Sequence, residues 1–171
     1  MTGPSHPLLD DHSAIAWDLD GTLVDGPKQA FLGAYVRGRR DKRHHLATFR
    51  RLSQRSAVAA ALASVGLDAS LFDGLHFCPE PLRDAFDAGG DPSLVREFRR
   101  WKGFVAAAHG CTVLVDDDAD LVGEGCRLHA VVHVDSWSMK FPTLRPGTAP
   151  GSDGTLSSLP VPDTILSEAP R

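Results

Sequence analysis

The sequence predicts an α/β domain with a doubly wound parallel sheet, and two observations support this fold class. Short apolar runs, each typical of a strand, alternate with longer segments that have helical spacing. These runs are continuously apolar rather than alternating, as in strands that helices cover on both faces. A chain of 171 residues with 42% hydrophobic content can bury such a core without a disulfide or a metal. We therefore expect one Rossmann-like domain.

The elements follow in order along the chain. Five strands are predicted, at residues 14–17, 44–49, 74–78, 112–115 and 128–134. Helices are predicted from Pro27 to near Gly38, at residues 54–65, and from Asp91 to Gly110. The last of these is the clearest, because Asp91 and Pro92 are a typical N-cap and first helical residue.

Composition divides the chain into three parts. Residues 1–13 are expected to form an N-terminal extension, and residues 14–140 the folded core. Residues 141–171 are rich in Pro, Gly and Ser, which predicts an extended tail that docks only in part on the core. The predicted connections between strands are short, so we expect no large inserted domain.

The cysteines and the chain ends indicate the compartment. Cys78, Cys111 and Cys126 have no C-x-x-C spacing, which argues against a disulfide framework and against a zinc site. The first residues have neither a basic leader nor an apolar core, and no uncharged apolar run reaches the roughly 18 residues of a membrane span. We expect a cytoplasmic protein with no membrane anchor.

Carboxylates follow two of the predicted strands directly. Asp18 and Asp20 come after the first strand, and Asp116 and Asp117 after the fourth. Ligands of such sheets bind at the carboxyl ends of the strands, where four acids would repel one another unless a hard cation held them. The sequence therefore predicts a magnesium site. A calcium loop starting at Asp18 is the alternative, but Gln29 stands at its twelfth position and a strand precedes it.

The stretch WDLDGTLVD around Asp18 resembles the first signature motif of the haloacid dehalogenase (HAD) superfamily of phosphohydrolases. The likeness extends from about Ala14 to Val134. It implies that Asp18 attacks phosphorus to form an aspartyl-phosphate, and that Asp20 protonates the leaving group and then activates water. Gly21 would let backbone amides approach the phosphate oxygens.

The second and third motifs of this family also have counterparts. Thr48, in HLATFR, resembles the hydroxyl residue that holds the transferring phosphoryl group, and Arg50 stands where many members carry an arginine. Ser53 is an alternative to Thr48. Lys102 resembles the lysine that neutralises the phosphate and the nucleophile, with the arginines at 99–100 as the alternative.

The fourth motif resembles VLVDDDAD. Family members place one metal ligand directly after this strand, and a second acid either beside it or four residues on. Asp116 with Asp117 fits the paired form, and Asp116 with Asp120 fits the spaced form, so both remain open. The resemblance implies that Mg²⁺ is held by Asp18, Asp20, Asp116 and Asp117.

The motifs together imply a magnesium-dependent phosphatase that hydrolyses a phosphomonoester. Because the connections are short, the enzyme should lack the cap domain of most members, and an open site suits a nucleotide, a polynucleotide end or a phosphoprotein. A phosphotransferase would share the first half-reaction and the same residues. Substrate, pathway and oligomeric state do not follow from the sequence.

Residues 37–55, here called the basic segment, are unevenly charged. They hold eight of the 18 Lys and Arg and one acid, Asp41, so they carry +7 and the remainder of the chain −11. This asymmetry favours an anionic partner, although a solvated surface is the simpler interpretation. The alternative to catalysis is therefore a non-catalytic or weakly catalytic protein of the same fold that binds a phosphorylated or nucleic-acid partner through this segment.

Four histidines are interpreted as structural or surface residues: His44, His45, His129 and His133. His129 and His133 are four apart in the predicted fifth strand, which would place them on one side of it. No further cysteine or histidine pattern completes a zinc set in the sequence.

Overall fold

The structure, a computed structural model, describes residues 4–140 and has a five-stranded parallel sheet at its centre. The strands are β1 (Ala14–Trp17), β2 (Arg43–Arg51), β3 (Gly74–Cys78), β4 (Val113–Asp116) and β5 (Val132–Asp135). Their order in the sheet is β3-β2-β1-β4-β5. The chain moves outward from β1 to β3 and then returns to the other side of β1, so the strand order reverses between β1 and β4. The predicted doubly wound α/β fold is confirmed.

Six helices accompany these strands. They are α1 (Pro7–Asp10), α2 (Gln29–Gly38), α3 (Arg55–Ser64), α4 (Glu80–Ala88), α5 (Pro92–Ala108) and α6 (Ala119–Leu128). Within residues 4–140, the connections between strands consist of these helices and short loops, and none forms an inserted domain. None of these helices has the length and apolarity that crossing a bilayer requires.

The two faces of β1 explain how the helical layers are placed. Ile15 and Trp17 point to one face, where they pack with residues of α2 and α3 such as Leu32 and Leu62. The alternate positions are alanines, which pack on the other face with α5 and α6. Because alanine is small, α5 lies close to the sheet on that side and can bring its side chains to the end of β1.

Residues before β1 take part in the core. Leu9 of α1 is fully buried and belongs to the cluster on the α2 side of the sheet. Asp10 accepts hydrogen bonds from the Tyr35 hydroxyl at 2.9 Å and from Arg39 Nη1 at 2.6 Å, which fastens α1 to α2. The predicted tail, residues 141–171, lies outside the described residues.

Three helices and one boundary differ from the sequence prediction. Helix α1 lies in residues 1–13, which were expected to form only an N-terminal extension. Helix α4 begins inside a Pro-Glu-Pro stretch that predicts only the end of a strand, and its Pro81 lies in the first turn, where proline is tolerated. Helix α6 contains Gly123 and Gly125, which disfavour a helix by about 1 kcal/mol each. Because α6 extends to Leu128 and His129 caps it, β5 begins only at Val132. The prediction that His129 shares a strand with His133 is therefore wrong.

Tertiary packing is the reason why α6 forms despite its glycines. A Cβ on Gly103 of α5 would overlap the backbone of Gly125 in α6, so the two helices cross at glycine-to-glycine contact. Packing of this kind overrides a weak local propensity. The close crossing also fixes α5 against the helix that begins just after β4.

Candidate active site

Three carboxylates meet at the carboxyl edge of the sheet, where β1 and β4 are neighbours. The pairing of Trp17 with Val115 puts Asp18 and Asp116 at adjacent positions on the two strands. One carboxylate oxygen from each of Asp18, Asp116 and Asp117 lies within 4.8 Å of the other two. This acidic cluster occupies the point where the strand order reverses, which is where sheets of this class bind ligands.

Lys102, in the middle of α5, joins two members of the acidic cluster. Its Nζ lies 2.6 Å from Asp18 Oδ1 and 2.8 Å from Asp116 Oδ2. All three residues are at most 5% exposed, and the Phe49 ring lies 4.2 Å from the ammonium. Buried charges persist only when they are paired, and here one ammonium faces two carboxylates. The group therefore keeps an excess of negative charge.

Burial and this excess charge shift the pKa values of the cluster. Burial raises the pKa of Asp18 to about 7, since the Lys102 charge opposes this shift only in part and the Asp116 charge adds to it. Burial also raises the pKa of Asp117, with a further contribution from Asp116. Burial alone would lower the pKa of Lys102, but its two carboxylate partners outweigh burial and raise it. The ammonium therefore stays charged.

Gly21 brings the loop after β1 against Asp117. Its φ is +77°, a region that favours glycine, and a Cβ there would lie 2.7 Å from Asp117 Cγ. The loop closes on itself, because the Gly21 amide donates to the Val24 carbonyl at 2.8 Å and the Val24 amide donates to the Leu19 carbonyl at 2.8 Å. Both the backbone conformation and the lack of space thus require glycine at this position.

Asp20 does not join the acidic cluster. Its carboxylate forms a two-point ion pair with Arg50, with Nε at 3.0 Å from Oδ2 and Nη2 at 2.5 Å from Oδ1. The Asp20 side chain is half exposed and lines an open cleft of about 340 Å³ beside the cluster. The structure thus gives Asp20 a position next to the cluster, facing solvent.

The remaining predicted residues are placed as follows. Thr48 is fully buried, and its hydroxyl accepts a hydrogen bond from the Arg50 amide at 3.2 Å. Asp120 is exposed in the first turn of α6 and does not belong to the three grouped carboxylates. The geometry therefore favours the paired form, Asp116 with Asp117. Arg100, an alternative to Lys102, instead pairs with Glu124 at 2.6 Å.

Three residues in β5 or just after it contact the site. The sequence prediction gave His133 only a structural or surface role and did not name Ser136 or Trp137. His133 Nε2 donates to the Asp116 carbonyl at 3.0 Å, and the Ser136 amide donates to the same carbonyl at 3.1 Å. Trp137 is 56% exposed, and its Nε1 donates to the Gly21 carbonyl at 3.1 Å. The rule that selects residues after β1 and β4 could also have selected Ser136 and Trp137, since they directly follow β5, which lies beside β4. It could not have selected His133, which lies inside β5.

The basic segment does not form one surface. Arg43 begins β2 and Arg51 ends it, so the two lie at opposite edges of the sheet, about 26 Å apart at the usual rise per residue. Before β2, Lys42 donates to the carbonyls of Asp10 and His12, each at 2.6 Å. Only the later part of the segment lines the cleft beside the acidic cluster, through Phe49, Arg50, Arg51 and Gln54.

Comparisons of this chain with protein-family models, with curated proteins and with solved structures find no match. The interpretation of the site therefore rests on its residues and their geometry. The donor set fits Mg²⁺, because grouped carboxylate oxygens with excess negative charge are the ligands that hard divalent cations prefer.

Proposed function

We propose that this chain is a magnesium-dependent phosphatase of the HAD type, which hydrolyses a phosphomonoester through an aspartyl-phosphate on Asp18. The observation that supports it most directly is the buried contact of Lys102 with Asp18 and Asp116. A purely structural core would gain little from three buried charges, because an apolar replacement is often as stable. Asp18 is also the first residue of the D-x-D-G-T motif, and the resemblance of this motif implies a role in phosphoryl transfer.

In the first half-reaction, Asp18 is the nucleophile. Lys102 holds Oδ1 of Asp18 and so orients the carboxylate. A carboxylate oxygen attacks phosphorus, a new P–O bond forms, and the ester P–O bond breaks with its electron pair going to the leaving oxygen. The Thr48 hydroxyl uses its oxygen to accept from the Arg50 amide, so its proton is free for a phosphoryl oxygen.

Asp20 serves as the general acid and base. In its protonated form it gives a proton to the leaving oxygen, and the resulting carboxylate then takes a proton from the water that attacks the aspartyl-phosphate. The bond between phosphorus and Asp18 breaks, which frees inorganic phosphate and restores both carboxyl groups. The exposed position of Asp20 at the cleft suits proton exchange with a leaving group and with water.

Arg50 must release Asp20 before turnover, since a carboxyl group that donates a proton cannot also accept two hydrogen bonds as a carboxylate. A phosphate dianion competes well for a guanidinium, because it offers the same two-point geometry with more charge. Substrate binding would therefore move Arg50 from Asp20 to the phosphate. The ion pair is then a resting arrangement that keeps Arg50 at the mouth of the site.

Asp18, Asp116 and Asp117 would hold Mg²⁺, which supplies positive charge to the phosphoryl oxygens and to the nucleophile. The adjacent cleft is lined by the side chains of Asp20, Phe49, Arg50, Arg51, Gln54, Arg83 and Asp87. Its volume of about 340 Å³ lies at the small end of ligand sites. Its three arginines outnumber the two carboxylates of the lining, Asp20 and Asp87, which favours an anionic substrate. A nucleotide or the phosphorylated end of a larger molecule fits this description.

The proposed compartment is the cytoplasm. The three cysteines are free thiols and buried in the structure, in three different elements or loops. A chain with free thiols suits a reducing environment, where disulfides are rare.

The test is a screen of phosphomonoesters that includes an aryl phosphate, sugar phosphates, nucleotides, 5′- and 3′-phosphorylated oligonucleotides and a phosphopeptide. Each is assayed with Mg²⁺ and after chelation, for the wild type, for Asp18→Asn and for Asp11→Asn, which changes an exposed carboxylate at the other end of β1. We expect phosphate release that needs Mg²⁺, falls more than about a hundredfold in Asp18→Asn, and is unchanged in Asp11→Asn.

Turnover that survives chelation would contradict the magnesium assignment. Activity of Asp18→Asn near the wild-type level would contradict the covalent role of Asp18. Binding of phosphorylated molecules with no turnover would favour the non-catalytic alternative.

A further inference from the structure

Three histidines meet at the amino edge of the sheet, opposite the acidic cluster. His45 lies in β2, His76 lies in β3, and His109 directly follows α5. One ring nitrogen from each lies within 4.8 Å of the other two. These residues are far apart in the sequence, and only the pairing of β2 with β3 and the end of α5 bring them together. We call them the histidine cluster.

One pair of ring nitrogens is at the spacing of metal ligands. His45 Nδ1 and His76 Nε2 form a hydrogen bond of 3.2 Å, which an ion bound to both nitrogens would replace. The His109 ring stacks on the His76 ring with centroids 4.1 Å apart, so it would turn to direct a nitrogen at the same ion. In a tetrahedral zinc site with Zn–N bonds of 2.0–2.1 Å, neighbouring ligand nitrogens are about 3.3 Å apart. The first pair is therefore already at ligand spacing, and His109 stands beside it.

One nitrogen of the histidine cluster that could bind an ion lacks a hydrogen-bond partner. Among the described residues the buried His109 Nε2 has none; His45 Nε2 has none either, but it is not the ring nitrogen that faces His76. Buried polar atoms without partners are uncommon and call for an explanation such as a bound ion. His45 and His76 are themselves buried, at 6% and 4% exposed, and burial favours the neutral imidazole that binds metals.

Gly74 keeps space open next to the two closest nitrogens. A Cβ on Gly74 would lie 2.8 Å from His76 Nε2 and 3.1 Å from His45 Nδ1. An ion bound between these two nitrogens would thus meet no side chain from position 74.

We propose that His45, His76 and His109 bind one divalent transition-metal ion, best matched by Zn²⁺, with solvent as the fourth ligand. Imidazole nitrogen is a preferred ligand of zinc, whereas Mg²⁺ prefers oxygen, so the histidine cluster and the acidic cluster select different ions. The ion joins β2 and β3 to the end of α5, the helix that carries Lys102. The ion would be a structural metal that stabilises the contacts among these elements. This proposal does not depend on the proposed phosphatase activity.

The test is Zn²⁺ binding by the full chain in buffer containing Mg²⁺, measured by competition with a chromophoric chelator. Co²⁺ is used in parallel, because its visible absorption reports the number of ligands. The variants are His76→Gln and His109→Asn, and the control is His129→Gln, which changes a histidine at the end of α6. Asp18→Asn is included so that binding at the acidic cluster is recognised.

We expect one equivalent of Zn²⁺ in the wild type, in His129→Gln and in Asp18→Asn. Losing a direct ligand should weaken binding more than the 10–100-fold typical of losing an outer hydrogen-bond partner. Asparagine is well tolerated at a helix end, so His109→Asn decides the question even if His76→Gln fails to fold. Unchanged affinity in His109→Asn, or less than about half an equivalent in the wild type, would overturn the proposal.

Discussion

Lys102 Nζ lies 2.6 Å from Asp18 Oδ1, although the two residues are 84 positions apart. Two packing features produce this contact. The alanines of β1 let α5 lie close to the sheet, and the contact of Gly103 with Gly125 fixes α5 against α6. The distance between the ammonium and the carboxylate is thus set by helix packing and not by local sequence.

Replacing Lys102 with methionine should affect both stability and activity. The change keeps the apolar stem but leaves Asp18 and Asp116 buried without a cation, which costs about 3–5 kcal/mol of unfolding free energy. Mg²⁺ should restore part of this stability, because it neutralises the same carboxylates. Urea unfolding with and without Mg²⁺ measures both effects, and phosphate release should fall by several powers of ten.

The control for this change is Lys28→Met, since Lys28 is an exposed lysine at the start of α2. Lys28→Met should change the unfolding free energy by no more than about 0.5 kcal/mol and should leave phosphate release unchanged. If Lys102→Met unfolds like the control, the buried ion group contributes little to the fold.

Replacing Asp20 with asparagine should separate proton transfer from nucleophilic attack. We expect kcat for an alkyl phosphate to fall about 10²–10⁴-fold, because its leaving oxygen needs a proton. An aryl phosphate with an acidic leaving group should lose less in the first step. Asp25→Asn is the matched control, because Asp25 lies exposed in the same loop and asparagine tolerates its φ of +61°. Equal losses with both substrates would argue against Asp20 as the general acid.

Replacing Gly21 with alanine should raise the Mg²⁺ concentration needed for activity. Its positive φ costs a non-glycine residue about 1–2 kcal/mol, and its Cβ would also displace Asp117. Gly89→Ala is the control, because Gly89 has a φ of +61° and its Cβ would meet nothing within 4 Å. Both variants should lose stability through the positive φ, Gly21→Ala at least as much as Gly89→Ala because of its contact with Asp117, but only Gly21→Ala should need more Mg²⁺. A shift of equal size in both would show that Asp117 is not involved.

Stability should fall in acid as Asp10 becomes protonated. Burial would raise the pKa of Asp10, but hydrogen bonds from Ser5, Tyr35 and the His6 amide, with the Arg39 charge, lower it to about 2. Because the folded pKa is below the unfolded value of 3.8, this stabilisation is complete above about pH 4 and is lost between about pH 4 and 2. Asp10→Asn should therefore cost about 1–2 kcal/mol at pH 7 and little near pH 2.

Urea unfolding of wild type and Asp10→Asn at several pH values measures this difference, with Asp11→Asn as the neighbouring exposed control. A difference between wild type and Asp10→Asn that stays constant from pH 7 to pH 2 would show that ionisation of Asp10 does not contribute.

The sequence alone was sufficient to predict the strands of the sheet and the acidic residues at its carboxyl edge. Four of the five strands were predicted within a few residues, since continuous apolar runs between turn residues are a local signal. Asp18 and Asp116 could be placed together because residues that directly follow neighbouring parallel strands share one edge. Helix α6 was missed because its glycines weaken the local signal, and packing against α5 compensates for them.

Other features depend on contacts between distant residues, and only the tertiary structure decided them. The sequence left open Asp117 or Asp120 as the partner of Asp116; in the structure Asp117 groups with Asp18 and Asp116, whereas Asp120 is exposed in the first turn of α6 and lies outside the group. It presented the basic segment as one patch, whereas β2 carries its two ends to opposite edges of the sheet. The histidine cluster has no recognisable motif in the sequence, because its members come from two strands and a helix end that are far apart along the chain. Periodicity and strand ends are local properties of a chain, but distances between side chains are set by how its layers pack.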